Sequence, residues 1–154
     1  MKTLQTSTLI LFVIITISSC AQRNKHNPVK YYNSPSQSTL DLPFSEAVRV
    51  GNLVFLAGQL GMDTTKGKLV EGGIKAETKQ AMNNIKNTLK GMHLSMQDIV
   101  KCTVMLADIK EWQAFNEVYV TYFSKPFPTR SAFGSSGLGF NARLEIECIA
   151  AVKK

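Results

Sequence analysis

The spacing of apolar positions changes several times along this chain, and each change marks an element. Over residues 45–59, "SEAVRVGNLVFLAGQ", two short alternating runs are interrupted by Gly51-Asn52, the pattern of a β-hairpin turning at that dipeptide. A short "KLV" segment follows the turn-like "TTKGK". From residue 74 to 92, apolar or small residues recur at 74, 78, 81, 85, 89 and 92, a helical period that Gly91 ends. "DIVKCTVMLAD" reads as the next strand. "KEWQAFNEVYVTYFS" reads as a second helix with Trp112, Phe115, Tyr119 and Tyr122 on one stripe, stopped by Pro126 and Pro128. "RSAF" and "RLEIECIAAV" close the chain as a final pair of strands joined by the glycine-rich stretch 134–141. The order is βββαβαββ: one α+β sheet with two helices on one face.

Both faces of that sheet are apolar. Leu53, Phe55 and Ala57 oppose Val54 and Leu56, while Cys102, Val104 and Leu106 oppose Thr103, Met105 and Ala107. A sheet covered on one side only should alternate between apolar and polar. Two helices cover one face, and no further segment of this chain is left for the other. Its expected cover is another copy of the chain, hence a closed homo-oligomer.

The first forty residues follow a different plan. Lys2 precedes a polar stretch, then the apolar run "LILFVIITI", then "SSC". Nine apolar residues are too few to span a bilayer but suit the apolar region of a secretory signal. The ending Ile17-Ser18-Ser19-Cys20 resembles the lipobox of bacterial lipoproteins, in which the cysteine becomes the lipidated N-terminus; the plain alternative is an ordinary signal with an incidental cysteine. Residues 1–19 are thus expected to be a lipoprotein signal peptide and 20–40 a lipidated N-terminus with a polar, proline-containing tether. Residues 41–154 form the folded domain. The expected location is the cell envelope, anchored to a bacterial membrane through Cys20 and facing the periplasm or the cell surface.

Charge and cysteine content narrow the partners. A net charge of +7, partly in the tail at Arg23, Lys25 and Lys30 and otherwise mixed with acids, gives no arginine-rich or aromatic-interleaved surface for nucleic acid. An exported protein could oxidise Cys102 and Cys148, but both lie inside strand-like runs, where cysteines more often serve as small buried hydrophobes. No CxxC occurs, and His26 and His93 have no second ligand at metal spacing, so no metal site is expected.

Glu145 and Glu147 share a face of an otherwise apolar strand, and Arg130 begins the strand before it. Charged groups are rarely buried unless paired. Two readings stand side by side. Arg130 and Glu145 form an ion pair that pins the final hairpin, or Arg130 recognises a carboxylate through two parallel hydrogen bonds while Glu145 borders the same cleft.

Taken together, "VRVGNLVFLAGQ", "VEGGIKAETKQAMNNIKNTLKG", "DIVKCTVMLADIKEWQAFNEVY", "FPTRSAF" and "LEIECIA" resemble, in order and spacing, the Rid (YjgF-type) family of imine and enamine deaminases over residues 41–152. The resemblance implies a chorismate-mutase-like fold and a homotrimer with clefts at subunit boundaries. It also implies cofactor-free hydrolysis of small 2-imino acids and enamines such as 2-aminoacrylate, giving 2-keto acids and ammonia. By the same resemblance Arg130, in "TRSA", grips the substrate carboxylate with Ala132 beside it, and Glu145, in "LEIE", holds the attacking water. Asn116 stands near the cleft and Gly58 lets the substrate approach. An iminium carbon is already electrophilic, so orientation and a held water supply much of the rate, and no covalent nucleophile is required. Three positions depart from the family: Phe44 replaces a tyrosine, Ala57 a serine, and Gly139 a proline. The alternative function is a non-catalytic module holding a small carboxylate in the same cleft.

Overall fold

The computed structural model describes residues 28–35 and 42–152. Cys20, the signal segment and part of the expected tether lie outside the described residues. The strands are β1 (Val29–Tyr32), β2 (Ala47–Val50), β3 (Leu53–Leu56), β4 (Gln59–Leu60), β5 (Met62–Asp63), β6 (Lys68–Leu69), β7 (Ile99–Leu106), β8 (Thr129–Gly134) and β9 (Leu144–Ala151). Among the described residues two α-helices, α1 (Gly73–Gly91) and α2 (Trp112–Tyr119), lie between strands of the sheet, α2 being flanked by single 3₁₀ turns. The main sheet runs β1-β2-β3-β9-β7-β8, with β4 also alongside β9, and β5 and β6 form a separate small ribbon.

The β2–β3 hairpin forms where the alternation places it, with Gly51 at φ +62° in the turn. Strand β3 then meets β9 at Phe55 and Ile149, and β4 resumes at Gln59 and Ile146. Four steps along the first segment thus face three along β9. The extra residue is a β-bulge at Ala57-Gly58.

Helices α1 and α2 pack on one face. There Ala81, Met82, Ile85, Leu89 and Phe115 meet Val54, Cys102, Val104, Leu106, Leu144 and Ile146, all fully enclosed. Each large aliphatic or aromatic side chain enclosed this way contributes about 1.5–3 kcal/mol. The opposite face is open along much of its length: Val50, Leu53, Phe55 and Phe133 are all exposed.

Two expectations need correction. The last two strands do not form a hairpin. β8 pairs in parallel with β7, and β9 inserts antiparallel between β7 and β3. Side-chain pattern explains the order. β9 encloses Leu144, Ile146, Cys148 and Ala150 and needs a neighbour on each side, whereas β8 leaves Thr129, Ser131 and Phe133 exposed and suits an edge. The second correction concerns the tether. Residues 29–32 pair antiparallel with β2 as an edge strand, and Tyr32 lies over Gly91 at the end of α1, where a Cβ would fall 1.9 Å from its hydroxyl. Its alternating "VKYY" is short, and prolines around it hide the strand signal.

Candidate active site

The candidate residues fall into two groups on opposite faces of the sheet. Arg130 is the cross-strand partner of Cys102, whose side chain is enclosed on the helical face, so the arginine side chain projects toward α2. There its Nη1 donates to Asn116 Oδ1 at 2.7 Å. Three rings of α2 surround the guanidinium: its carbon lies 4.8 Å from the Tyr119 ring centre, 5.1 Å from Trp112 and 5.5 Å from Phe115. Such contacts contribute about 0.5–1 kcal/mol each where partly exposed. Their larger effect is to fix the plane of the guanidinium.

The helix supplies this box because Trp112, Phe115, Asn116 and Tyr119 fall at i, i+3, i+4 and i+7. Gln113, Asn116, Tyr119, Phe127, Pro128 and Arg130 border a cleft of about 580 Å³, large enough for a small organic acid. Ala132, two residues along β8 on the same face, packs against the core and carries no polar group into it.

Glu145 stands on the other face, as the cross-strand partner of Met105 and Leu60. Its side chain is half-buried and lies on the bulge: a Cβ built on Gly58 would fall 1.8 Å from Glu145 Oε1. Only glycine leaves the carboxylate room there. Ala57, its neighbour, donates its N–H to Glu46 O at 2.9 Å. Phe44 stands just before β2 with 53% of its surface exposed. Gly139 lies near Leu60 in the loop before β9.

Within one chain, then, Arg130 and Glu145 do not meet. Among the described residues the salt bridges are Lys66–Asp63, Lys75–Glu117 and Arg143–Glu111, and no carboxylate pairs with Arg130. The reading in which Arg130 pins a hairpin through Glu145 fails, because the hairpin is absent and the two side chains leave the sheet in opposite directions.

The structure also shows features the sequence reading did not single out. The aromatic box around Arg130 was legible as a stripe but not as a cage. Glu77 is a buried carboxylate on α1 that accepts the Arg143 N–H at 2.9 Å and lies against Gly61, tying α1 to the entry of β9. Cys102 and Cys148 lie side by side on adjacent strands, their sulfurs 2.9 Å apart. The signal for that pair was the equal depth of each cysteine in its strand, which becomes informative only once the register is known.

Residues 37–152 match the family model described as Endoribonuclease L-PSP. The chain belongs to that family, the YjgF/Rid proteins which its motifs resemble. It is 45% identical over 108 residues to the 2-iminobutanoate/2-iminopropanoate deaminase of Capra hircus, covering 70% of this chain and 79% of the goat protein. Among solved structures, the yeast protein YEO7 superposes with a TM-score of 0.76 at 35% identity, covering 82% of this chain and all of that one. E. coli TdcF with bound serine superposes with a TM-score of 0.69 at 29% identity, covering 74% and 91%.

Proposed function

We propose that this protein hydrolyses small 2-imino acids and their enamines to 2-keto acids and ammonia, in clefts assembled between three copies of the chain. The observation that carries the reading is the division of the site. One face presents an arginine fixed by an amide and three rings, and the other presents a carboxylate lodged on a glycine bulge. The open apolar face around Leu53, Phe55 and Ile149 suits burial against a second copy, which would bring one protomer's Glu145 toward another's Arg130. The naming of relatives at about 40–45% identity as imine deaminases supports the same chemistry.

In this reading the planar guanidinium takes the substrate carboxylate through two parallel hydrogen bonds, with Asn116 occupying one further N–H and setting the angle. The carboxylate of Glu145 accepts a proton from a water as that water's oxygen attacks the C=N carbon. The resulting carbinolamine releases ammonia, leaving the 2-keto acid. Phe44 brings no hydroxyl to the site and Ala57 none to the bulge. A missing neutral hydrogen bond costs about 0.5–1.5 kcal/mol, up to roughly tenfold in rate, so turnover slows but persists.

These same two positions favour the second reading, a carboxylate-binding module without turnover. Purified protein mixed with 2-aminoacrylate generated in place by a pyridoxal-phosphate lyase separates them. Ammonia release faster than the buffer rate is expected, whereas pyruvate binding with no acceleration would favour the binding module. The location proposed is the cell envelope, through lipid on Cys20. Mass spectrometry of the mature N-terminus should find a diacylglyceryl-cysteine, and a retained Met1 would refute it.

A further inference from the structure

We propose that Cys102 and Cys148 are a redox modification site, a buried dithiol that hydrogen peroxide or another small hydroperoxide converts to a cross-strand disulfide, with Cys102 attacking and Cys148 resolving. The two residues are direct partners on antiparallel strands β7 and β9, with their sulfurs 2.9 Å apart and both thiols free. Directly opposed residues in such a pair have Cα atoms about 4.5–5.5 Å apart, inside the roughly 4.4–6.8 Å that a disulfide spans. Closing the bond therefore needs side-chain rotation and little backbone movement.

The surroundings divide the roles. Arg130, Cys102 and Cys148 form one row across β8, β7 and β9 on the helical face. Tyr119 lies over that row, 93% buried by its 7% exposure, and its hydroxyl has no hydrogen-bond partner among the described residues. The Cys148 thiol holds Cys102 below the usual thiol range through their hydrogen bond, and the Arg130 charge acts in the same direction against burial. Cys148 is pushed the other way, first by that same hydrogen bond and then by burial. Arg130 is the direct cross-strand partner of Cys102 and not of Cys148, so its positive charge favours the thiolate, which is the nucleophile, on Cys102.

Access selects the oxidant. Cys102 and Cys148 are 0% and 3% exposed, but Tyr119 and Arg130 beside them line the cleft. A peroxide can pass where a bulky disulfide cannot. The Cys102 thiolate attacks one peroxide oxygen and the O–O bond breaks, its electron pair leaving with hydroxide, which takes a proton to become water. Cys102 is then a sulfenic acid. The Cys148 sulfur attacks the Cys102 sulfur, the S–O bond breaks, and the departing hydroxide leaves as water with the Cys148 proton. Two thiols and one peroxide yield one disulfide and two waters.

The test treats the full chain with hydrogen peroxide, then denatures, alkylates and weighs it. Wild type should lose about 2 Da, resist alkylation at Cys102 and Cys148, and regain both thiols with dithiothreitol. Cys148→Ser, confirmed folded by circular dichroism, should stop at a sulfenic acid on Cys102 that dimedone traps. Cys102→Ser should leave Cys148 unmodified at the same dose. Treated wild type that still alkylates at both cysteines, over-oxidation to sulfinic acid in place of the disulfide, or dimedone capture at Cys148 overturns the proposal.

Discussion

Arg130 is the residue on which the proposed site turns, and its surroundings predict lost binding in two substitutions that keep the fold. Arg130→Ala removes a group that no carboxylate among the described residues pairs with, so the protein should stay folded. It should lose about 2 kcal/mol of pyruvate affinity, roughly thirtyfold, measurable by calorimetry. Arg130→Lys should recover little of it, because an ammonium cannot offer two parallel donors or stack in the ring cage. Unchanged pyruvate binding in folded Arg130→Ala would remove the anchor role. Gly58→Ala probes the other half. Its Cβ would meet Glu145 Oε1 at 1.8 Å and push the carboxylate off the bulge. Pyruvate should still bind, while imine hydrolysis falls about a hundredfold, the scale of an ångström-sized misplacement. Equal loss of both would mean that the bulge collapsed.

At the scale of elements, the small β5–β6 ribbon carries a pH signature. Asp63 accepts the Thr65 hydroxyl at 2.6 Å and pairs with Lys66 at 3.1 Å, and these contacts hold its carboxyl down to about 2. A depressed carboxylate lends stability that is fully present above its unfolded value of about 3.9 and disappears as pH falls through its folded value. The NMR titration of the Asp63 carboxyl should therefore have its midpoint near 2. A midpoint near 4 would show the turn to be open in solution. Legibility also divides by element. The β2–β3 hairpin, α1 and α2 could be read because period and turn chemistry are local. The partner of β9 could not, since a hairpin between β8 and β9 satisfies the same local pattern as insertion between β3 and β7. Strand order is decided by which strand has most apolar surface to enclose, a property of the assembled sheet. For the same reason Arg130 and Glu145 could be picked out as chemistry, but not as residues of opposite faces.

At the scale of the whole molecule, the apolar open face and the divided site lead to one expectation. If the proposed trimer forms each cleft from one protomer's Arg130 and its neighbour's Glu145, neither residue needs to be intact in every chain. Arg130→Ala and Glu145→Gln proteins should each be inactive alone. Unfolded, mixed in equal amounts and refolded together, they should form some boundaries where an intact arginine faces an intact glutamate. Random cyclic assembly makes that combination at about one boundary in four, so imine hydrolysis should return to roughly a quarter of the wild-type rate. No recovery from mixed trimers, beside an active wild type refolded in the same way, would contradict the shared site.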